Sequence, residues 1–234
     1  MIAASQASLS VTAGIPALAA IMVLFVICLV ARANPLRAVV VGIVIACIMA
    51  LEFVLAGSGI LAGSTAPPPP LLLMMVPLTI TTVTFARSQL AGAIVDNTPF
   101  ALLIGAQAFR LPLELLMHQA AADRIMPPQM TYTGVNFDIV TGITAAIVAL
   151  LLMTGHAPRW LLIGWSLLGS LLLLAVVIIA GTSMPAIHAF GPTNHNDWVN
   201  HIPFVWLPGV LVQIALFLHI LTWRKLARTA IEKV

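Results

Sequence analysis

The sequence predicts an all-α integral membrane bundle of about seven transmembrane helices, N-terminus out and C-terminus in, and three observations carry that expectation. Of its 234 residues 61% are apolar. Only 7% are charged, against about a quarter in ordinary soluble domains. The apolar residues fall in runs long enough to cross a hydrocarbon core, which takes about 20 residues of helix.

The expected spans are 13–31, 38–62, 71–88, 98–121, 138–154, 159–181 and 203–222, each ended by charge, proline or glycine. Together they make one transmembrane domain over residues 1–234. The opening stretch MIAASQASLSVTAG has no basic n-region, so the first run is expected to be a retained span rather than a secretory signal. Arg32 and Arg37 flank the turn after it. The second run carries Glu52, and the run Pro67–Pro70 that follows is expected to form a stiff extended turn, because consecutive prolines cannot continue a helix. The third run holds Thr79, Thr81, Thr82, Thr84 and Arg87, so a partly buried or re-entrant segment is the alternative to a full crossing. SQLAGAIVDN then reads as a short link.

Lys and Arg set the orientation, since the cytoplasmic side retains them. With an odd number of spans and the C-terminus inside, Arg32, Arg37, Arg87, Arg159, Arg224, Lys225, Arg228 and Lys233 all become cytoplasmic. Arg124 alone then lies outside, and Arg110 lies within a span.

The fourth span holds the polar residues that call for explanation. Gln107, Arg110, Glu114 and His118 recur at intervals of three, four and four, which places them on one face of a helix. An arginine at the centre of a span costs about 2.5–3.5 kcal/mol on insertion scales, so Arg110 is expected to face the bundle interior and a partner. Pro112 removes a backbone N–H nearby and is expected to bend the helix. Glu114 is the nearest acid in sequence, and Glu52 is expected at similar depth as a second carboxylate sharing the arginine. Two carboxylates on one guanidinium would leave one of them able to carry a proton. A structural ion pair that fixes helix register is the alternative.

Outside the membrane, PPQMTYTGVNFDIVTGITA concentrates turn-forming and hydrogen-bonding residues. Gly134 suits a tight turn, Asn136 or Asp138 suits the cap of the fifth helix, and Tyr132 suits the membrane boundary. The 124–138 loop is expected to roof an outward-facing polar cavity built around Arg110, Glu114, His118 and Glu52, with Gln107, Tyr132, Asn136 and Asp138 as further candidate ligand or proton residues. His118, His188, His195, Asp197 and His201 lie on the same side and have side chains that suit zinc or copper, though NHNDWVNH follows no metal signature. His156 and His219, expected near the cytoplasmic side, lack the pairing that haem ligation would need.

PPQMTYTGVNFDIVTGITA and, more loosely, FVWLPGVLVQIALFLHILTWRKL resemble segments of a family of uncharacterised bacterial polytopic membrane proteins. The resemblance covers about a fifth of the chain and implies a bacterial inner-membrane location, with no activity attached.

Several functions are excluded by what is absent from the sequence. The basic residues form no patch interleaved with aromatics, so a nucleic-acid partner is not expected. No phosphate-binding glycine loop is present, and the two lysines, Lys225 and Lys233, lie beyond the expected last span, where a retinal protein would need one inside it. Cys28 and Cys47 form no metal or disulfide framework. Binding or transport of protons or a small polar solute accounts best for the charged stripe. A membrane-embedded metal-dependent enzyme and an accessory subunit of a membrane complex are the alternatives, the bilayer being the one partner expected of all three.

Overall fold

The computed structural model describes residues 7–62, 68–187, 189–191 and 193–231. The described residues form helices α1 (Leu9–Ala33), α2 (Pro35–Gly57), α3 (Pro70–Arg87), α4 (Gln89–Asn97), α5 (Phe100–Gly105), α6 (Arg110–Ala122), α7 (Ile139–Met153), α8 (Arg159–Thr182) and α9 (Val212–Ile231). A tight 3₁₀ turn, Ala106–Phe109, joins α5 to α6, and a wide π turn, Leu207–Leu211, leads into α9.

Six segments are long and apolar enough to cross a membrane: α1, α2, α3, α5–α6 taken as one, α8, and the π turn with α9. The fifth expected span is different. Helix α7 has 15 residues, about 22 Å of helix against a hydrocarbon core of about 30 Å. The third segment is one unbroken helix of 18 residues rather than a broken one. Its threonines have a reason to be there: Thr82 donates to the side-chain oxygen of Gln213 on α9 (2.9 Å), and Gln213 donates to Thr79 (3.3 Å).

Two expectations about connections need correction. SQLAGAIVDN is largely helical, because the Ser88 hydroxyl accepts from the Ala91 N–H and caps α4, which buries Ala91, Gly92, Ile94 and Val95. The proline run does not stay extended to its end: Pro70 is the first residue of α3, a position where the missing N–H would be unpaired anyway. Pro67 lies outside the described residues, as do His188 and Lys233.

Hydrogen bonds define the two ends of the bundle. At one end the Ser8 N–H donates to Asp123 (2.8 Å), which together with the Gln119 amide holds that exposed carboxyl below its usual range. At the other end Arg224 donates to the carbonyls of Ala86 and Ser88, Lys225 to that of Val95, and Arg228 to that of Gly92 and to the Asp96 carboxylate. Arg159 reaches the Leu226 carbonyl there (3.0 Å). Arg224 and Lys225 thereby satisfy bare carbonyls at the ends of α3 and α4, Ala86 and Val95, as cations do at helix C-termini.

Burial is uneven. In the last segment, Leu207–Thr229, 67% of the most apolar stretch is buried inside the protein, against 11% for α2 and for α3. The last helix is the axis of the bundle, and α2 and α3 present Val40, Ile43, Val44, Leu73 and Ile80 outward, where lipid is the natural solvent. Residues Val26, Leu103, Met117, Phe204, Leu211 and Leu218 make the centre of the core.

Candidate functional site

The buried polar residues gather where α6, α7, α8 and α9 meet. Arg110, the first residue of α6, is buried, and its guanidinium pairs with Asp138 at 2.6 Å. Asp138 occupies the N-cap position of α7 without capping it, because its carboxylate is taken by Arg110. The adjacent Asn136 does three things. Its amide donates to both oxygens of Glu114 (2.9 and 3.1 Å) and to the Met130 carbonyl (3.0 Å), and its side-chain oxygen accepts the Asp138 N–H (3.0 Å).

These contacts fix the depth of the loop. Arg110 lies about 18 Å along α6 from that helix's end at Ala122, and Glu114 lies about two turns from it. Segment 123–138 therefore dips into the bundle to meet them, and does not roof an open cavity. Gln129, Met130, Thr131, Asn136 and Asp138 are all buried. Irregular backbone at such depth is tolerated only where protein covers it, and here internal bonds do so, with Val135 and Asn136 donating to the Gln129 and Thr131 carbonyls. Gly134 serves close packing: a Cβ there would stand 2.3 Å from the Pro128 carbonyl oxygen. Gly142 does the same between helices, since its Cβ would lie 2.4 Å from the Leu111 nitrogen. That contact lets α7 start against the backbone of Arg110.

The expected stripe is real, with its members in different settings. Gln107 donates to the Ala215 carbonyl of α9 (3.1 Å). His118, half-buried, stacks on Tyr132 with ring centroids 4.8 Å apart. The turn Ala106–Phe109 is overwound, beside the carbonyl of Ala108 that Pro112 cannot serve as a donor. Glu52, however, does not share Arg110. It is buried on α2 with its carboxyl against Gly209 of the π turn, where a Cβ would stand 2.2 Å from the carboxylate, and neither oxygen has a hydrogen-bond partner. The face of α2 that carries it packs on the π turn before α9 rather than on α6. The arginine's acid is Asp138, which the sequence placed among the candidate site residues and at the cap of the fifth expected helix, but not against Arg110.

Sequence reasoning also missed His219. The last helix runs to Ile231, so this residue lies at its middle, buried, with its ring stacked on Trp165 (5.7 Å between centroids). In the segment after α8 His201 meets Asp197 at 3.3 Å, and a cavity of about 270 Å³ is lined by His195, Asp197, Asn200 and Leu61. Among the described residues no three His, Cys, Asp or Glu side chains converge as metal ligands would. A second cavity, about 290 Å³ and almost wholly apolar, opens between α1, α2, α3 and the last helix, beside Met49, Phe85 and Gly209.

The chemistry of the centre follows from its charges. Arg110 is balanced by Asp138, and Glu114 is left with only a neutral amide. With both carboxyl groups ionised, one guanidinium leaves the buried centre one positive charge short of balance. Matching against protein-family models, curated proteins and solved structures finds no relative for this chain.

Proposed function

We propose that the protein binds a proton at the Arg110–Asp138–Glu114 centre and moves it across a bacterial inner membrane, alone or with a small polar solute. The observation that carries this reading is the charge count: two carboxyl groups and one guanidinium, all buried, at a depth reached by a loop that enters the bundle. Discontinuous helices that begin within the membrane are how many transporters present a binding site at the midplane, and α7 begins beside such a centre. Helix α7 with its inbound loop then makes the seventh passage, N-terminus out and C-terminus in. The charges at Arg32, Arg37, Arg87, Arg159, Arg224, Lys225 and Arg228 favour that orientation.

The centre is closed to solvent, with Arg110 and Glu114 each 1% exposed. Exchange with the outside therefore requires the 123–138 segment to withdraw, and the stacked pair His118–Tyr132 is its outermost fastening. Proteoliposomes loaded with a pH-sensitive dye test the proposal. Under an imposed pH gradient and potential the parent protein is expected to pass protons faster than empty vesicles, and Glu114→Gln to remove the difference. Equal rates for the parent and the empty vesicles would sink the reading. A C-terminal reporter fusion that is active only outside the cell would overturn the orientation.

A further inference from the structure

Half-way down the bundle, on the side of Arg110 away from Glu114, lies a second set of polar groups that the ion-pair centre does not use. Thr141 on α7 and Ser166 on α8 are 0% exposed and His219 on the last helix is 2% exposed. The Thr141 and Ser166 hydroxyls and both ring nitrogens of His219 have no hydrogen-bond partner. The same holds for Nε and Nη2 of Arg110 and for the side-chain oxygen of Gln107.

The residues that carry these atoms lie on elements that touch one another. Gly169 is the point where three helices touch: a Cβ there would stand 2.6 Å from His219 Cε1 and 3.1 Å from Thr141 Cγ2. Ser166 sits one turn before Gly169 on the same face of α8. Gln107 is tied to Ala215, one turn before His219, and Gly142, next to Thr141, packs on the backbone of Arg110 and Leu111. Trp165 closes the other side, covering the imidazole face and spending its own N–H on Thr144 (3.1 Å). The charged residues of this part of the bundle are Arg110 and Glu114 on α6 and Asp138 at the head of α7.

A neutral imidazole always has one donor and one acceptor, and leaving both bare in a protein interior costs more than almost any native structure tolerates. Buried water is the ordinary remedy, held by about three hydrogen bonds to groups that lack partners. Seven such atoms in one region, donors and acceptors mixed, suit a small cluster of waters and no large ligand.

We propose that Thr141, Ser166 and His219 hold a buried water cluster that runs on to Arg110 and Gln107, and that protons reach Glu114 through it by way of His219. This inference rests on the proton reading above and supplies its inner half. Each step is a proton hop: His219 takes a proton from a cluster water at one ring nitrogen and releases one from the other to the next water, towards Glu114. The water chain reorients afterwards, so the ring ends each cycle neutral.

Radiolytic hydroxyl-radical labelling of the whole protein in nanodiscs, paired with the proteoliposome assay, tests it. Labelling by trapped water is expected at His219 and Trp165, well above the equally buried Phe204. His219→Phe is expected to slow proton passage at least about tenfold, the effect on a rate of losing one ordinary hydrogen bond, while Glu114→Gln stops it. An unlabelled His219 in the parent protein overturns the proposal without need of any variant. So does a folded His219→Phe protein that passes protons at the parental rate, and that outcome leaves the Glu114 reading standing. A parent protein that passes no protons overturns both.

Discussion

Glu52 and Glu114 are both buried carboxyl residues on membrane helices, and the protein treats them in opposite ways. Glu114 is embedded in a network: Asn136 holds both its oxygens, Asp138 follows in the same loop, and Arg110 lies one turn away. Glu52 is held by nothing but packing against Gly209. A partnered group depends on its neighbours' charges, whereas a solitary one must stay neutral. The part of the bundle built from α5 to α9 is therefore specified by polar contacts, and α2 by apolar composition, with α3 between them through its threonine bonds to Gln213.

Substitutions can break this contrast or sharpen it. Arg110→Leu should have the largest effect, since it strands two buried carboxyl groups. A loss of about 3–5 kcal/mol is expected in unfolding from detergent, with Arg110→Leu/Asp138→Leu recovering much of it. Equal stability of Arg110→Leu and the parent would mean that the network carries no fold. Gly142→Ala comes next, at about 1–3 kcal/mol, because its Cβ would press on backbone that cannot yield. Glu52→Leu should be within about 1 kcal/mol of the parent or more stable, for it removes a buried polar group that pairs with nothing. A large loss there would reveal a partner for Glu52 and dissolve the contrast.

The smallest effect belongs to the exposed end. The Asp123 carboxyl is held below its usual range by the Ser8 N–H and the Gln119 amide. Its contribution is thus present above the ordinary carboxylate range and fades as pH falls through the lowered value. Protection of the Ser8 amide against exchange, taken relative to the intrinsic rate at each pH, should fall on acidification, and Asp123→Asn should lower it at neutral pH too.

Legibility in the sequence followed the same divide. Apolar runs announced the six candidate crossing helices, because hydrocarbon demands them, but they stopped the last one at 222 although its helix runs on to Ile231. The stripe through Gln107, Arg110 and Glu114 was visible because helical spacing lines such residues up. The pairing of Arg110 with Asp138 was not, since it depends on a loop descending into the bundle, and no local pattern records where a loop goes. Helix α7 looked like an ordinary span for the same reason: its apolar run ends where the loop begins, and the depth of that junction is a tertiary fact. Thr141, Ser166 and His219 stand singly in apolar runs of three different helices. Only the close approach allowed at Gly169 brings them together.

The central place of the last helix has a consequence in time. It follows every other described helix in the sequence, yet it carries Gln213 for the α3 threonines, the Ala215 carbonyl for Gln107, and the basic side chains that reach the carbonyls of α3 and α4. Every earlier helix must wait with these groups open until this one has been made. Assembly is therefore a concerted closure around one inserted rod, and a chain cut before Val212 should be a target for quality-control proteases rather than a weakened version of the whole.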